Sequence, residues 1–170
     1  CGFVGRYLVR ELAASGHTSV GFGLEPPPPD PFCPVIRGDI LDAQAVADAV
    51  RRIRPDAAIH LAAVAFPPDG ETQPARMAAV NIQGTVHLLD AVRREAPAAR
   101  LLTVSSARIY GSRPSAAPLP EEAPLDPDSL YAATKAAADL LTLQYARAFG
   151  LPAMTARPHN HTGPGQPETM

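Results

Sequence analysis

Short apolar runs alternate with longer amphipathic stretches from one end of this chain to the other. Gly5 to Ser15 carries Leu8 and Leu12 at helical spacing and meets Gly16, a natural terminator. Thr18 to Phe22 has strand character, as does the pair Val35-Ile36. Asp42 to Arg54 predicts a helix with Asp42 as N-cap, Val46, Val50 and Ile53 as its apolar positions and Pro55 closing it. Ala57 to Ala63 and Arg100 to Ser105 are apolar runs of strand length, separated by a long helix over Gln73 to Glu95. A helix over Ser129 to Phe149, stopped by Gly150, and a last strand at Ala153 to Ala156 complete the series. Parallel strands buried on both faces read as unbroken apolar runs joined by helical crossovers. The order therefore predicts an α/β fold, a doubly wound parallel sheet covered by helices on both faces.

Composition narrows the classes of partner. At 170 residues the chain suffices for one core, and no linker or internal repeat divides it, so 1–170 is expected to form a single domain. A net charge of -2 gives no reason to expect nucleic acid or an anionic membrane surface. No apolar run approaches the roughly 18 residues of a membrane span. Cys1 and Cys33 lack metal-ligand or CxxC spacing and read as reduced thiols, which points to the cytoplasm. Pro26 to Pro29 and the five prolines of Arg113 to Pro127 mark loops. Among fifteen basic residues only Lys135 is lysine, so its position calls for a property arginine lacks.

Gly2-Phe3-Val4-Gly5 opens the first helix. In a dinucleotide-binding turn such glycines let the backbone approach a pyrophosphate, which rests on the helix N-terminus. A glycine-bounded helix start is the plainer reading of these four residues alone. The following strand should end near a group that reads the adenosine ribose; Glu25 is the candidate, or a solvated loop acid, and the choice between NAD and NADP stays open.

Tyr131 and Lys135 stand four apart, on one face of a helix. A phenol is a poor acid or base at neutral pH, and a nearby ammonium would lower its pKa. Lysine also offers three donors to ribose hydroxyls. Ser105 and Ser106 follow an apolar strand, where ligands bind in open α/β sheets; a hydroxyl there can polarise a carbonyl, although serines at that place also serve as caps.

V-S-S-A-x-x-Y-G, then Y-x-x-x-K twenty-five residues beyond Ser106, then R-P-x-N-x-x-G-P-G-Q resembles the extended short-chain dehydrogenases/reductases, the epimerase/dehydratase family. The likeness runs from Gly2 to Gln166 and implies a Rossmann-like domain missing its first strand and most of the sugar-binding portion. It implies catalysis by Ser106, Tyr131 and Lys135. Gly2, Phe3, Val4, Gly5, Asp39, Ile40, Leu61, Ala62, Ala63 and Ser105 would contact the cofactor, with Tyr131, Lys135, Pro158 and His159 around the nicotinamide. Asn160, with Ser106, would hold the nucleotide-sugar substrate. Gly38, the run from His60 to Ala63, and Asn81-x-x-Gly84-Thr85 also match. Dimerisation through the long helices is a further implication.

Family members that dehydrate place acids directly after the catalytic hydroxyl residue; here Ala107-Arg108 stands there. The segment RPHNHTGPGQ is most similar to the GDP-mannose-related branch, with His159 where phenylalanine is usual. The expected activity is NAD(P)H-dependent reduction of the C4 keto group of a GDP-4-keto-6-deoxy-hexose. The alternatives are a 4-epimerase with tightly bound NAD, a 4,6-dehydratase, or a non-catalytic cofactor-binding regulator. No metal is expected, since His159 and His161 lack a third ligand.

Overall fold

The computed structural model describes residues 2–24, 33–65, 72–112 and 118–166. Cys1, Glu25, the Pro26–Pro29 run and the start of the Arg113–Pro127 loop lie outside the described residues. In chain order the elements are α1 (Phe3–Ala14), β1 (Gly21–Gly23), β2 (Val35–Arg37), α2 (Ala43–Ile53) and β3 (Ala57–His60), then α3 (Pro74–Ala78), a π turn (Ala79–Gln83) and α4 (Gly84–Glu95). They continue with β4 (Arg100–Val104), a 3-10 turn (Ala107–Tyr110), α5 (Leu130–Phe149) and β5 (Ala153–Ala156).

All strand pairs are parallel, in the order β1-β2 and β3-β4-β5. The fold is the α/β arrangement expected, but the described strands form two sheets rather than one. In the classic order 3-2-1-4-5-6, the strand ahead of the first helix separates exactly these two groups. The described residues begin at the start of α1, so that strand is not among them.

The core lies where α2 and α4 pack on β4. Val46 and Val50 of α2 meet Leu89 and Val92 of α4 and Leu101 of β4, and Phe22 and Ile40 close the edge. Buried Val46, Ala49 and Val50 repeat at helical spacing, while Arg51 and Arg52 of the same helix lie on its exposed side. Asp42 caps α2 as the sequence predicts, accepting from Ala45 N at 3.0 Å, and Ser129 proves to cap α5, accepting from Ala132 N at 3.2 Å.

Three boundaries differ from the sequence reading. The first strand is only Gly21–Gly23, since three residues find a partner in β2. The run expected to continue to Ala63 leaves the sheet after His60. There the buried Asn81 accepts from Val64 N at 2.8 Å and donates to Val64 O at 3.1 Å, so a side chain replaces the ladder. Asn81 belongs to the π turn that interrupts the expected long helix. It also donates to Thr134 Oγ1 at 2.9 Å, which ties this turn to α5.

Gly84 begins α4 because nothing larger fits: a Cβ there would lie 2.9 Å from Ile40 Cγ1. Overpacking of this kind costs about 1–3 kcal/mol, and alanine's better helix propensity offsets up to about 1 kcal/mol. Gly84→Ala should therefore lower stability by about 1 kcal/mol in denaturant titration, and pairing it with Ile40→Val should recover most of the loss. A G84A protein as stable as the parent would contradict this packing.

Candidate active site

The carboxyl ends of β3, β4 and β5 share one edge, fixed by the register His60↔Thr103 and Val104↔Ala156. Three segments leave that edge together: Leu61-Ala62-Ala63, Ser105-Ser106 and Arg157-Pro158-His159-Asn160. Ser105 N donates to Ala156 O at 2.7 Å and Ala107 N to Pro158 O at 2.9 Å, so the last two stay side by side beyond the sheet. Between them opens a cleft of about 180 Å³ lined by Ser106, Ala107, Arg108, Gly111, Pro158, His159 and Asn160. Gly111 closes its floor with φ at 74° and its α-carbon against the carbonyl of Asp126, a place without room for a side chain.

Ser106 caps the 3-10 turn, its Oγ accepting from Arg108 N at 3.2 Å. Its hydroxyl also meets Tyr131. Burial pushes the Tyr131 phenol up from its ordinary pKa, opposed by the Ser106 hydroxyl and then by the Arg108 charge. Arg108 in turn reaches Asp128 at 3.5 Å. The carboxyl of Asp128 is held low first by its hydrogen bond from Ser112, then by Arg108.

Lys135 is only 6% exposed, and burial pulls its pKa down to about 8, with the Asp139 carboxylate working the other way. Its ammonium donates to Val104 O at 2.5 Å. The ammonium is thus held by the end of β4, while the Ser106 hydroxyl and the Arg108 charge oppose the upward shift of the Tyr131 phenol. Ser105 is buried, its Oγ 3.5 Å from Lys135 O.

The other anticipated residues lie on several separate turns. Gly2, Phe3, Val4 and Gly5 form the first turn of α1, which no side chain caps. Asp39 accepts from Leu41 N at 2.9 Å, and Ile40 O accepts from His87 Nδ1 at 3.0 Å, so both belong to the turn after β2. Leu61 and Ala62 are exposed, an apolar surface at the tip of β3, with Ala63 half-buried. His159 and Asn160 are exposed at the cleft mouth, and Pro158 is half-buried. Among the described residues no three His, Cys, Asp or Glu side chains gather as metal ligands.

His60 turns out to be a core residue. Burial, then the Lys135 charge, lowers its pKa to about 4. Its Nε2 lies 2.9 Å from Thr85 Oγ1, and that hydroxyl donates to Asn81 O at 2.7 Å. Thr85 has one proton to give, so Nε2 carries the hydrogen and the imidazole is neutral. Sequence reasoning also missed two contacts joining α1 to the segment after Asn160: Tyr7 Oη donates to Pro164 O at 2.6 Å and Arg6 Nη2 to Gly165 O at 3.3 Å. It missed the buried Asp139 as well, although the Lys135-plus-four position on one helix face was a usable signal.

Parallel strands joined by helical crossovers, with Ser106 beyond the carboxyl end of β4 and Tyr131 and the buried Lys135 facing that end from α5, fit a Rossmann-type dinucleotide-binding architecture. The family model of the NAD dependent epimerase/dehydratase family matches residues 1–170, and the chain belongs to that family. It is 37% identical over 170 residues to the GDP-6-deoxy-D-mannose reductase of Pseudomonas aeruginosa, covering 99% of this chain and 52% of that protein. The structure of RMD from Pseudomonas aeruginosa complexed with NADPH superposes with a TM-score of 0.81 at 33% identity, covering 99% of this chain and 54% of that one. The UDP-glucose 4-epimerase from Brucella ovis in complex with NAD superposes with a TM-score of 0.86 at 30% identity, covering 95% and 50%. The chain thus spans about half the length of the relatives it matches.

The shifted lysine offers a direct check. In the full-length protein, the Lys135 side-chain NMR signal should titrate with a midpoint near 8, where burial places it, well below an ordinary lysine. A midpoint above about 10 would contradict the burial described here.

Proposed function

We propose that residues 1–170 form the cofactor-binding domain of a cytoplasmic nucleotide-sugar oxidoreductase. It uses NAD(P)H to reduce the C4 keto group of a GDP-4-keto-6-deoxy-hexose. The observation that carries the reading is the pairing of Ser106 and Tyr131 beside a cleft whose adjoining positions are Ala107 and Arg108. With no carboxylate at those two positions, the cleft has no base there for dehydration. The likeness to the Pseudomonas aeruginosa reductase supports the same choice.

The chain's own groups fit a dinucleotide. The uncapped first turn of α1, Gly2 to Gly5, suits a pyrophosphate, and Asp39 and Ile40 border an adenine at the next turn. Exposed Leu61 and Ala62, with Ala63 and Ser105, offer an apolar floor toward Lys135. Pro158 and His159 border the nicotinamide, whose chemistry is to supply hydride. Ser106 donates to the substrate C4 oxygen, and Tyr131, protonated across the neutral range because burial holds its pKa high, gives that oxygen its proton. Lys135 holds ribose hydroxyls, and Asn160 faces the sugar-nucleotide phosphates. A homodimer through α4 and α5 accompanies this reading, with the alanine-rich face of α5 as the contact. No nucleic acid or membrane partner is proposed, and no described helix is long and apolar enough to cross a membrane.

The test is consumption of reduced nicotinamide by the full-length protein on a GDP-4-keto-6-deoxy-hexose. Tyr131→Phe should lower kcat by about 10²- to 10⁴-fold while leaving cofactor binding intact. No turnover by the parent protein would rule the reading out. The second reading, a 4-epimerase with tightly held NAD, draws on the likeness to the Brucella ovis epimerase. It predicts C4 inversion of a nucleotide hexose with no net change in cofactor.

A further inference from the structure

Asp139 has 0% exposure in the middle of α5, one turn beyond Lys135. A buried carboxylate survives only when paired and fully hydrogen-bonded. Arg157 meets it as a fork, Nε donating to Oδ2 at 3.0 Å and Nη2 to Oδ1 at 2.8 Å. The remaining arm, Nη1, donates to Tyr110 Oη at 2.6 Å and to Glu121 O at 2.7 Å. Tyr110 Oη itself donates to Glu121 O at 2.9 Å, and the guanidinium carbon lies 5.4 Å from the Tyr110 ring centroid.

One guanidinium therefore binds three stretches of chain: α5, the end of the 3-10 turn, and the loop at Glu121. Its own backbone leads directly into Pro158, His159 and Asn160. Those residues form one wall of the cleft, and Ser106, Ala107 and Arg108 of the turn form the other. The two walls touch through Ala107 N and Pro158 O at 2.9 Å.

We propose that Arg157 is a positioning residue that sets the spacing of the two cleft walls relative to α5, and so the placement of Ser106 against Tyr131 under a bound sugar nucleotide. The proposal rests on the reductase reading above. Lysine cannot replace it, because a single ammonium lacks the planar fork that engages Asp139 and still reaches Tyr110. Tyr110 is the link that passes this constraint to the turn.

The experiment compares Arg157→Lys, Tyr110→Phe and a control, Arg51→Lys, in the full-length protein. Arg51 forks onto Glu95 at 2.8 Å between α2 and α4, away from the cleft, so it reports loss of an arginine fork as such. Arg157→Lys should raise KM for the GDP-4-keto-6-deoxy-hexose about tenfold, with NADPH affinity within about twofold of the parent. Tyr110→Phe, which leaves the Asp139–Arg157 fork intact, should raise KM about threefold, and Arg51→Lys should change neither. Unchanged KM in the first two variants, or NADPH affinity falling in parallel with KM, would overturn the proposal. If Arg157→Lys does not fold, Tyr110→Phe decides alone by the same criteria.

A second readout needs no substrate. The ultraviolet phenol titration of each protein, minus that of the same protein carrying Tyr131→Phe, isolates Tyr131. Loosened walls admit water, so in both cleft variants its midpoint should fall toward the ordinary value. An unmoved midpoint in both would overturn the proposal even where the parent proves inactive on the GDP sugar, a result that would sink only the reductase reading.

Discussion

A carboxylate sealed inside a helix obliges the structure to bring a cation to it, and much of the geometry around the cleft follows from how Asp139 is answered. An unpaired charge at such depth costs several kcal/mol, and losing one partner of a buried pair typically costs about 3–5 kcal/mol. The partner, Arg157, comes from just beyond β5, so α5 and the exit of the sheet are fixed to one another. Asp139 also favours the charged form of the neighbouring Lys135, against burial that favours the neutral amine. The same carboxylate thus anchors the scaffold and moderates the charge of the residue one turn before it.

The packing beneath supplies rigidity of a different kind. α2 and α4 pack on β4 through Val46, Val50, Leu89, Val92 and Leu101, so the strand that delivers Ser105 and Ser106 is the most buried of the described strands. On the other side the Thr103 hydroxyl donates to Thr142 Oγ1 at 2.9 Å, since Thr142 gives its own proton to Ala138 O, and this locks α5 to the same strand. Ser106 and Tyr131 are therefore carried by two elements that are themselves cross-linked. Loops supply the remaining walls, which is where function concentrates on a stiff scaffold.

Local signals were legible in the sequence, and long-range ones were not. The cap of α2, the end of α5, the bounds of β5 and the shared face of Tyr131 and Lys135 depend on spacing alone, and they stand where spacing puts them. The end of β3 depends on Asn81 reaching Val64, seventeen residues away, which no periodicity reveals. The π turn follows from that same side chain and from Gly84 pressing on Ile40. The hydrogen bond from the Lys135 ammonium to Val104 O was hidden for a similar reason: that carbonyl is thirty-one residues distant and reads as ordinary strand backbone. The division of the described strands into two sheets matches the classic order, in which a further strand lies between these two groups.

The bond from Ala107 N to Pro158 O has a further consequence. Extending the register Val104↔Ala156 places Ser106 opposite Pro158, where a parallel ladder would return a bond from residue 158 to the carbonyl of Ser105. Proline has no N–H, so it can accept here and never give. Past Ala156 the bonds from Ser105 N and Ala107 N hold the two segments together from one side, with no return bond from residue 158 between them. The thinned ladder beside Ser106 is in this sense a matter of valence: one imino acid removes a rung next to the place where a ligand needs room.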